Sequence, residues 1–186
     1  MNGLEELFSV KGKTALVTGG ATGIGRMCAT GLAMGGAHVM IASRKAEACQ
    51  ATADEINAMG LPGRVEGFGG DVATEAGVDA LVAEVARRTD RLNILVNNAG
   101  LTWGEPYETF PYKAWSRVFD VNVTGLFHLT RQLTGMLDAA ATDEDPARII
   151  NLGSVMGTQP IADGAYSYTA SKAAVHRLTK TLAIEF

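Results

Sequence analysis

Tyr168 and Lys172 are the residues of this sequence whose types and spacing most directly suggest chemistry. Residues four apart on a helix lie on the same face, so the phenol and the amine are expected to be neighbours. At about 4 Å and an effective dielectric constant of about 20, an ammonium stabilises a phenolate by roughly 4 kcal/mol. Such a tyrosine can donate a proton to a carbonyl oxygen or remove one from an alcohol. Tyr166, six positions before Lys172, is expected on another face of the helix.

Ser154 lies fourteen residues before Tyr168, in the loop that follows an apolar segment. Its hydroxyl can hold a substrate oxygen and stabilise the charge that develops there. Ser154, Tyr168 and Lys172 together therefore predict proton transfer at an oxygen atom that is held in place. The competing interpretation is a surface tyrosine–lysine pair and a serine that caps its loop.

A glycine-rich segment separates the first apolar segment from a helical pattern. Glycines at such a junction allow a sharp turn, and the N-terminus of the following helix offers N–H groups to a phosphate. The segment is predicted to bind the diphosphate of a dinucleotide, and the alternative is a turn with a structural role only. The residues expected to contact the cofactor here are Gly19, Thr22, Gly23, Ile24 and Gly25.

Ser43 and Arg44 follow the second apolar segment, where dinucleotide-binding folds often carry an acidic residue. An acidic residue accepts hydrogen bonds from ribose hydroxyls and repels a 2′-phosphate. A guanidinium instead binds that phosphate through charge-assisted hydrogen bonds. The sequence therefore predicts NADP(H) as the cofactor. The alternative is that Arg44 and Lys45 only solvate the start of a helix.

The elements that position these residues follow from the alternation of short apolar segments with longer amphipathic ones, which is typical of β–α–β units. We predict an α/β fold with a Rossmann-like, doubly wound parallel sheet of strand order 3-2-1-4-5 and helices on both faces. Residues 1–186 are expected to form one dinucleotide-binding and catalytic domain. The predicted strands are 14–18, 37–42, 64–68, 92–96 and 147–152, and the predicted helices are 24–35, 46–59, 74–89, 111–140 and 165–186.

The composition argues against several classes of function. A net charge of −4 provides no basic surface for nucleic acid. Cys28 and Cys49 lack metal-ligand spacing, so no metal site is expected. Glu5 and Glu6 stand where a secretion signal would be basic, and no apolar segment is long enough to cross a membrane. The sequence predicts a cytoplasmic protein that binds neither nucleic acid nor membranes.

Several short motifs of the chain occur in the order and spacing of the short-chain dehydrogenase/reductase family. They are Thr18–Gly25, Gly70-Asp71-Val72, Asn97-Asn98-Ala99-Gly100, Asn122, Ser154 and Tyr168-x-x-x-Lys172. The chain resembles this family from about Gly12 to its end. The resemblance implies an oxidoreductase that transfers a hydride between NADP(H) and a carbonyl compound or secondary alcohol.

The resemblance also assigns residues around the cofactor. It implies that Asp71 holds the adenine amino group and that Val72 lies beside the adenine ring. The turn after the fourth strand is expected next to the cofactor, and its residues are Asn98, Ala99 and Gly100.

The same resemblance assigns the reaction centre. Tyr168 is expected to be the acid/base, and Ser154 to position the substrate oxygen. Lys172 is expected to tune Tyr168 and to orient the nicotinamide ribose, so Tyr168 and Lys172 also count as cofactor-binding residues. Asn122 is expected to kink its helix and to hold a water molecule that connects Lys172 with solvent.

The substrate is expected to lie between loops 101–107 and 155–161. Trp103, Tyr107, Met156 and Ile161 either form an apolar wall for an acyl or alkyl group or pack the loops. Parts of the sequence are similar to the rhamnolipid-pathway branch of 3-ketoacyl reductases, which implies a 3-ketoacyl thioester. Polyol and sugar-acid dehydrogenases of the same family remain open.

Members of this family continue past the helix that carries Tyr168, with a sixth and a seventh strand. The domain is therefore expected to be incomplete at its C-terminus, and a non-catalytic nucleotide-binding or interaction module is the alternative to an active reductase. The helices that begin near Pro111 and Ala165 form subunit interfaces in the family, so a homodimer or homotetramer is expected. The histidines are interpreted as surface or packing residues, and they are His38, His128 and His176.

Overall fold

The computed structural model of the chain describes residues 8–161 and 163–186, so Glu5 and Glu6 and one loop residue, Ala162, lie outside it. Five parallel strands form one sheet in the order β3-β2-β1-β4-β5, which confirms the predicted fold and strand order. The strands are β1 (Thr14–Thr18), β2 (His38–Ser43), β3 (Arg64–Gly69), β4 (Ile94–Asn97) and β5 (Arg148–Asn151).

Helices connect successive strands and cover both faces of the sheet. They are α1 (Gly23–Met34), α2 (Ala46–Asn57), α3 (Glu75–Ala86), α4 (Tyr112–Phe119), α5 (Gly125–Ala140) and α6 (Tyr166–Glu185). Two short 3₁₀ turns, Tyr107–Thr109 and Val155–Gly157, lie in the loops after β4 and β5. None of the helices in the described part of the chain combines the length and the apolar character needed to cross a membrane.

Alternate residues of the central strands enter two separate hydrophobic cores, because successive side chains of a strand point to opposite faces. Val17 of β1 packs in the core that α1 and α2 cover, whereas its neighbour Leu16 packs in the core that α3 and α5 cover. Both side chains are fully buried. This double burial explains why the strands are apolar almost throughout.

Local interactions fix two of the helix boundaries. Gly60 has a φ of +66°, a conformation that favours glycine, and it ends the turn that follows α2. The Thr74 hydroxyl accepts a hydrogen bond from the Gly77 amide at 3.1 Å and so caps α3.

The helix predicted over residues 111–140 is interrupted, which corrects that prediction. A π-helical turn, Asp120–Thr124, separates α4 from α5. Asn122 lies in this turn and hydrogen-bonds to a neighbouring loop, and Gly125 packs directly on the Val72 carbonyl. A wider turn brings both residues to these partners, and single π turns inside helices are common at functional sites.

A chain of side-chain amides crosses the carboxyl ends of the neighbouring strands β4 and β5. The Asn97 side-chain NH₂ donates to Thr130 Oγ1 of α5 at 3.0 Å and to Asn151 Oδ1 at 2.9 Å. The Asn151 NH₂ donates to Thr179 Oγ1 of α6 at 3.0 Å. The two helices that flank this part of the sheet are therefore hydrogen-bonded to each other through it.

Candidate active site

The glycine turn lies between β1 and α1 and depends on glycine at specific positions. Gly19 and Gly23 have φ values of +65° and +53°, which favour glycine. A Cβ at Gly25 would overlap the Gly19 carbonyl and lie 2.5 Å from Asn98 Nδ2. The turn is therefore a backbone-lined cradle that a side chain would fill, which fits the close approach of a diphosphate to the helix N-terminus.

Asn98 holds this turn from the end of β4. Its Nδ2 donates to the Thr18 carbonyl at 2.9 Å and to the Gly19 carbonyl at 3.2 Å. The Thr18 hydroxyl in turn accepts the amides of Asn98 at 3.1 Å and Ala99 at 3.0 Å. Asn98 thus shapes the cradle with its side chain.

A crevice with a volume of about 360 Å³ runs along the carboxyl ends of the strands. Most of the residues predicted to bind the cofactor line it, namely Gly19, Thr22, Ser43, Arg44, Asp71, Val72, Ala99 and Gly100. Gly23, Ile24 and Gly25 form the first turn of α1 beside the crevice, and the Ile24 side chain is 59% exposed. The order of the sheet thus brings together residues that are far apart in the sequence.

Three basic side chains line the crevice. They are Arg44 and Lys45 after β2 and Arg117 of α4. The Ser43 hydroxyl accepts a hydrogen bond from the Lys45 amide at 3.3 Å, which shapes the turn that carries Arg44. Arg117 is not identifiable from the sequence, because its position on a helix surface has no signal that points to the crevice.

The acidic residue of the crevice is Asp71. Its Oδ1 accepts a hydrogen bond from the Ala73 amide at 2.9 Å, which fixes the carboxylate in the crevice wall. The neighbouring Val72 side chain is 8% exposed and presents a small apolar surface there. Asp71 and Val72 thus provide one acceptor and one apolar contact for a planar polar group.

Tyr168 and Lys172 lie one turn apart on α6, as their spacing predicts. The Lys172 Nζ is 5.7 Å from the centre of the Tyr168 ring and donates a hydrogen bond to the Leu152 carbonyl at 2.6 Å. Burial lowers the pKa of Lys172, whose residue is only 5% exposed. The Cβ position of Gly100 would lie 3.9 Å from the same Nζ, so the pair adjoins the crevice.

Asn122 holds the loop after β4 against α6. Its Oδ1 accepts the Leu101 amide at 2.7 Å, and its Nδ2 donates to the Leu101 carbonyl and to Ser171 Oγ, each at 2.9 Å. Asn122 is 1% exposed, and Ser171 precedes Lys172 on α6. Asn122 lies in the π-helical turn, at the position where the resemblance implies a kink, and its amide also sets the path of the loop.

Ser154 follows β5 and starts the 3₁₀ turn Val155–Gly157. Its Oγ accepts a hydrogen bond from the Met156 amide at 3.2 Å, and its own amide donates to His176 Nε2 at 3.3 Å. The hydroxyl hydrogen is therefore available for donation to another oxygen. His176 was interpreted from the sequence as a surface or packing residue, and its contact with the Ser154 amide is a role that spacing alone does not reveal.

An apolar cavity of about 920 Å³ lies on another face of α6, where Tyr166, Thr169 and Ala173 line it. Tyr107 and Ile161 line this cavity, whereas Trp103 and Met156 do not. The Tyr166 ring packs edge-on against Phe110 and Tyr107, with ring centres 5.4 and 5.8 Å apart. Tyr166 is thus part of an aromatic cluster, on a different face from Tyr168 and Lys172.

The sequence matches the family described as short chain dehydrogenase over residues 13–186. The chain belongs to the short-chain dehydrogenase family. This confirms the family that the motifs predict. The match includes both the crevice and α6. Within the described part of the chain, no three His, Cys, Asp or Glu side chains cluster as a metal site requires.

This short-chain dehydrogenase is similar to enzymes of more than one substrate class. A rhamnolipid-biosynthesis 3-oxoacyl-[acyl-carrier-protein] reductase of Pseudomonas aeruginosa is 44% identical over 178 residues, which are 96% of this chain and 68% of the relative. A 5-keto-D-gluconate 5-reductase of Escherichia coli is 31% identical over 98% of this chain and 69% of the relative. The fold matches the Pseudomonas aeruginosa RhlG/NADP active-site complex with a TM-score of 0.91, at 44% identity, over 96% of this chain and 69% of that one.

Proposed function

We propose that this chain is an NADP(H)-dependent oxidoreductase that reduces the 3-keto group of a 3-ketoacyl thioester, or oxidises the corresponding alcohol. The observation that carries the proposal is the position of Tyr168 and Lys172 beside Gly100, where the strand-end crevice meets α6. An acid/base and a cation beside a strand-end crevice fit the transfer of a proton next to a bound cofactor.

The residues of the crevice fit NADP(H). The glycine turn provides a cradle without side chains for the diphosphate, and Arg44 with Ser43 is suited to the 2′-phosphate. Asp71 provides an acceptor for the adenine amino group, with Val72 beside the ring. A relative solved with NADP, at 44% identity, supports the same assignment.

The chemistry that the bound nicotinamide supplies is hydride transfer. The protein's own residues control the proton and the substrate oxygen. Tyr168 Oη gives its proton to that oxygen during reduction and removes it during oxidation. The Lys172 ammonium stabilises the resulting phenolate, and the Ser154 hydroxyl donates a hydrogen bond to the same oxygen as negative charge develops on it.

The 3-ketoacyl thioester is supported by the 44% identical 3-oxoacyl reductase, and a sugar acid is the second candidate because of the 5-keto-D-gluconate reductase. The test is NADPH oxidation by the purified chain with a series of 3-ketoacyl thioesters and, separately, with 5-ketogluconate and related ketoses. We expect turnover with the thioesters. Greater efficiency with the sugar acids would reject the thioester assignment. Nucleotide binding without turnover on any carbonyl compound would instead identify a non-catalytic module.

We further propose that residues 1–186 act as one dinucleotide-binding and catalytic domain and that the protein is a cytoplasmic homodimer or homotetramer. Exposed apolar side chains on the helices support the assembly, since Tyr112 of α4 is 89% exposed and Phe127 of α5 is 42% exposed. The two unpaired cysteines fit a reducing compartment. Sedimentation equilibrium tests the assembly, and a concentration-independent monomer would reject it.

A further inference from the structure

His176 lies one helical turn after Lys172 on α6, and its imidazole contacts the loop that carries Ser154. The Ser154 amide donates a hydrogen bond to Nε2 at 3.3 Å. An imidazole nitrogen that accepts an N–H must hold a lone pair. The contact therefore requires a neutral ring with its proton on Nδ1.

The loop is packed directly on this ring. A Cβ at Gly153 would lie 2.7 Å from His176 Cδ2, and a Cβ at Gly157 would lie 2.9 Å from His176 Cε1. Both distances are too short for carbon atoms in contact, so the close approach of the loop depends on these two glycines. Ser154, the residue proposed to hold the substrate oxygen, lies between these two glycines.

α6 therefore contacts the end of β5 and the loop after it at three points. Lys172 Nζ holds the Leu152 carbonyl at 2.6 Å, His176 holds the Ser154 amide, and Thr179 Oγ1 accepts from Asn151 at 3.0 Å. The Ser154 hydroxyl is then fixed to the loop by its bond from the Met156 amide. The helix that carries Tyr168 thus also determines where Ser154 stands.

We propose that His176 is a positioning residue for the reaction, which acts by holding the Ser154 backbone at a fixed distance from Tyr168. The proposal rests on the proposed function for its kinetic consequence. A hydrogen-bond donor contributes to catalysis only when it is held where charge develops, and loss of such a donor typically lowers kcat by about 10²–10³. Loosening the donor without removing it is expected to cost less, about 10-fold in kcat.

The test compares His176→Leu, which removes the acceptor at similar volume, with His176→Gln, whose side-chain oxygen can accept from the Ser154 amide. His128→Leu is the matched control, since His128 hydrogen-bonds to Arg131 and Gln132 on α5. We expect His176→Leu to lower kcat about 10-fold with the NADPH Kd unchanged, and His176→Gln to restore most of it. His128→Leu should behave as wild type.

A double-mutant cycle with Ser154→Ala distinguishes an effect that acts through Ser154 from a general loss of structure in the active site. If His176 acts through Ser154, then His176→Leu should have little further effect on kcat in the Ser154→Ala background. Additive losses would overturn the proposal.

NMR provides a readout that does not depend on turnover. At mildly alkaline pH the ¹⁵N shifts of His176 should show an unprotonated Nε2 and a protonated Nδ1. The Ser154 amide should exchange with solvent about 10-fold faster in His176→Leu than in wild type. Unchanged exchange, or a proton on Nε2, would reject the role of His176. Wild-type protein without turnover but with both NMR signatures would reject the proposed reductase function while supporting the contact.

Discussion

Asn122 binds the backbone of Leu101 in both directions, with its Oδ1 accepting the amide at 2.7 Å and its Nδ2 donating to the carbonyl at 2.9 Å. The same Nδ2 donates to Ser171 on α6. This one amide thereby connects the π-helical turn, the loop beside the crevice and the helix that carries Tyr168 and Lys172.

Substitution of Asn122 by alanine is expected to reduce both stability and activity. It leaves the Leu101 amide and carbonyl without their partner, and each buried unsatisfied group costs about 1–3 kcal/mol. We expect the free energy of unfolding, measured in urea, to fall by about 3 kcal/mol. Asn57 is the control, since it binds the Val65 amide and carbonyl at 2.8 Å each, away from the crevice. Asn57→Ala should lower stability and preserve kcat, and equal kcat losses in both variants would contradict this interpretation.

Replacement of Tyr168 by phenylalanine removes the proposed acid/base and little else. General acid–base catalysis contributes about 10²–10⁴-fold to rate, so we expect kcat to fall by about 10³. NADPH binding, followed by fluorescence titration, should be retained. Tyr166→Phe is the matched control, because Tyr166 belongs to the aromatic cluster beside the apolar cavity. Near-normal turnover of Tyr168→Phe would exclude this residue as the acid/base.

Removal of the Arg44 guanidinium should change the choice of cofactor. Hydrogen bonds to charged groups contribute about 1.5–3 kcal/mol, so Arg44→Ala should raise the Kd for NADPH about 10- to 100-fold. The Kd for NADH should change little, because NADH lacks the 2′-phosphate. Arg87→Ala serves as the control, since Arg87 pairs with Glu84 at the end of α3. An equal rise of the Kd values for NADPH and NADH in Arg44→Ala would show that Arg44 does not bind the 2′-phosphate.

Two glycines of α1 are expected to respond in opposite ways to alanine. Gly25→Ala places a Cβ against the Gly19 carbonyl, so it should distort the turn and weaken NADPH binding. Gly31, on the same helix, has no atom within 4 Å of its Cβ position. Gly31→Ala should therefore raise the free energy of unfolding by about 0.5–1 kcal/mol and leave binding unchanged. Isothermal titration and urea denaturation measure both effects. Tight NADPH binding by Gly25→Ala would show that the cradle tolerates a side chain.

The buried Lys172 should make stability depend on pH in alkaline solution. Burial lowers the pKa of Lys172 below its ordinary value of 10.5, so the folded protein releases this proton at a lower pH than the unfolded chain. The cost of burying the ammonium is present in full below the folded pKa and is lost as the pH rises towards 10.5.

The free energy of unfolding of wild type, relative to that of Lys172→Met, should accordingly rise over the pH range below 10.5. Denaturant titrations of both proteins at neutral and at alkaline pH test this. A difference between the two proteins that stays constant, or that falls with rising pH, would show that Lys172 is not desolvated by folding.

The sheet was predictable from the sequence because most of its strands are marked by short apolar segments between amphipathic ones. β1 occupies the predicted residues 14–18, and the order 3-2-1-4-5 is the one expected of a Rossmann-like sheet. A kink at Asn122 was expected from the family resemblance, whereas the π-helical turn and the bond between Asn122 and Leu101 were not. A contact between distant segments leaves no periodic signal in either one.

The candidate site was predictable to a similar degree. Spacing on one helix identified Tyr168 and Lys172, and the glycine turn identified the cradle. The positions of Arg117 and His176 were missed, because both lie on helix surfaces whose neighbours are set by packing. The role of such a helix residue depends on which other elements pack against it, and the sequence of the helix does not show this.

Hydrogen bonds connect Thr130 to Thr179 through the side-chain amides of Asn97 and Asn151, and each amide has a fixed orientation. Asn97 donates at both of its contacts, and Asn151 accepts on one side and donates on the other, so neither amide can be flipped without facing oxygen to oxygen or NH₂ to NH₂. A screw motion of α6 by one residue would break the final link. These bonds therefore fix the rotation of α6 relative to the sheet, so thermal fluctuations of Tyr168 should follow those of β4 and β5.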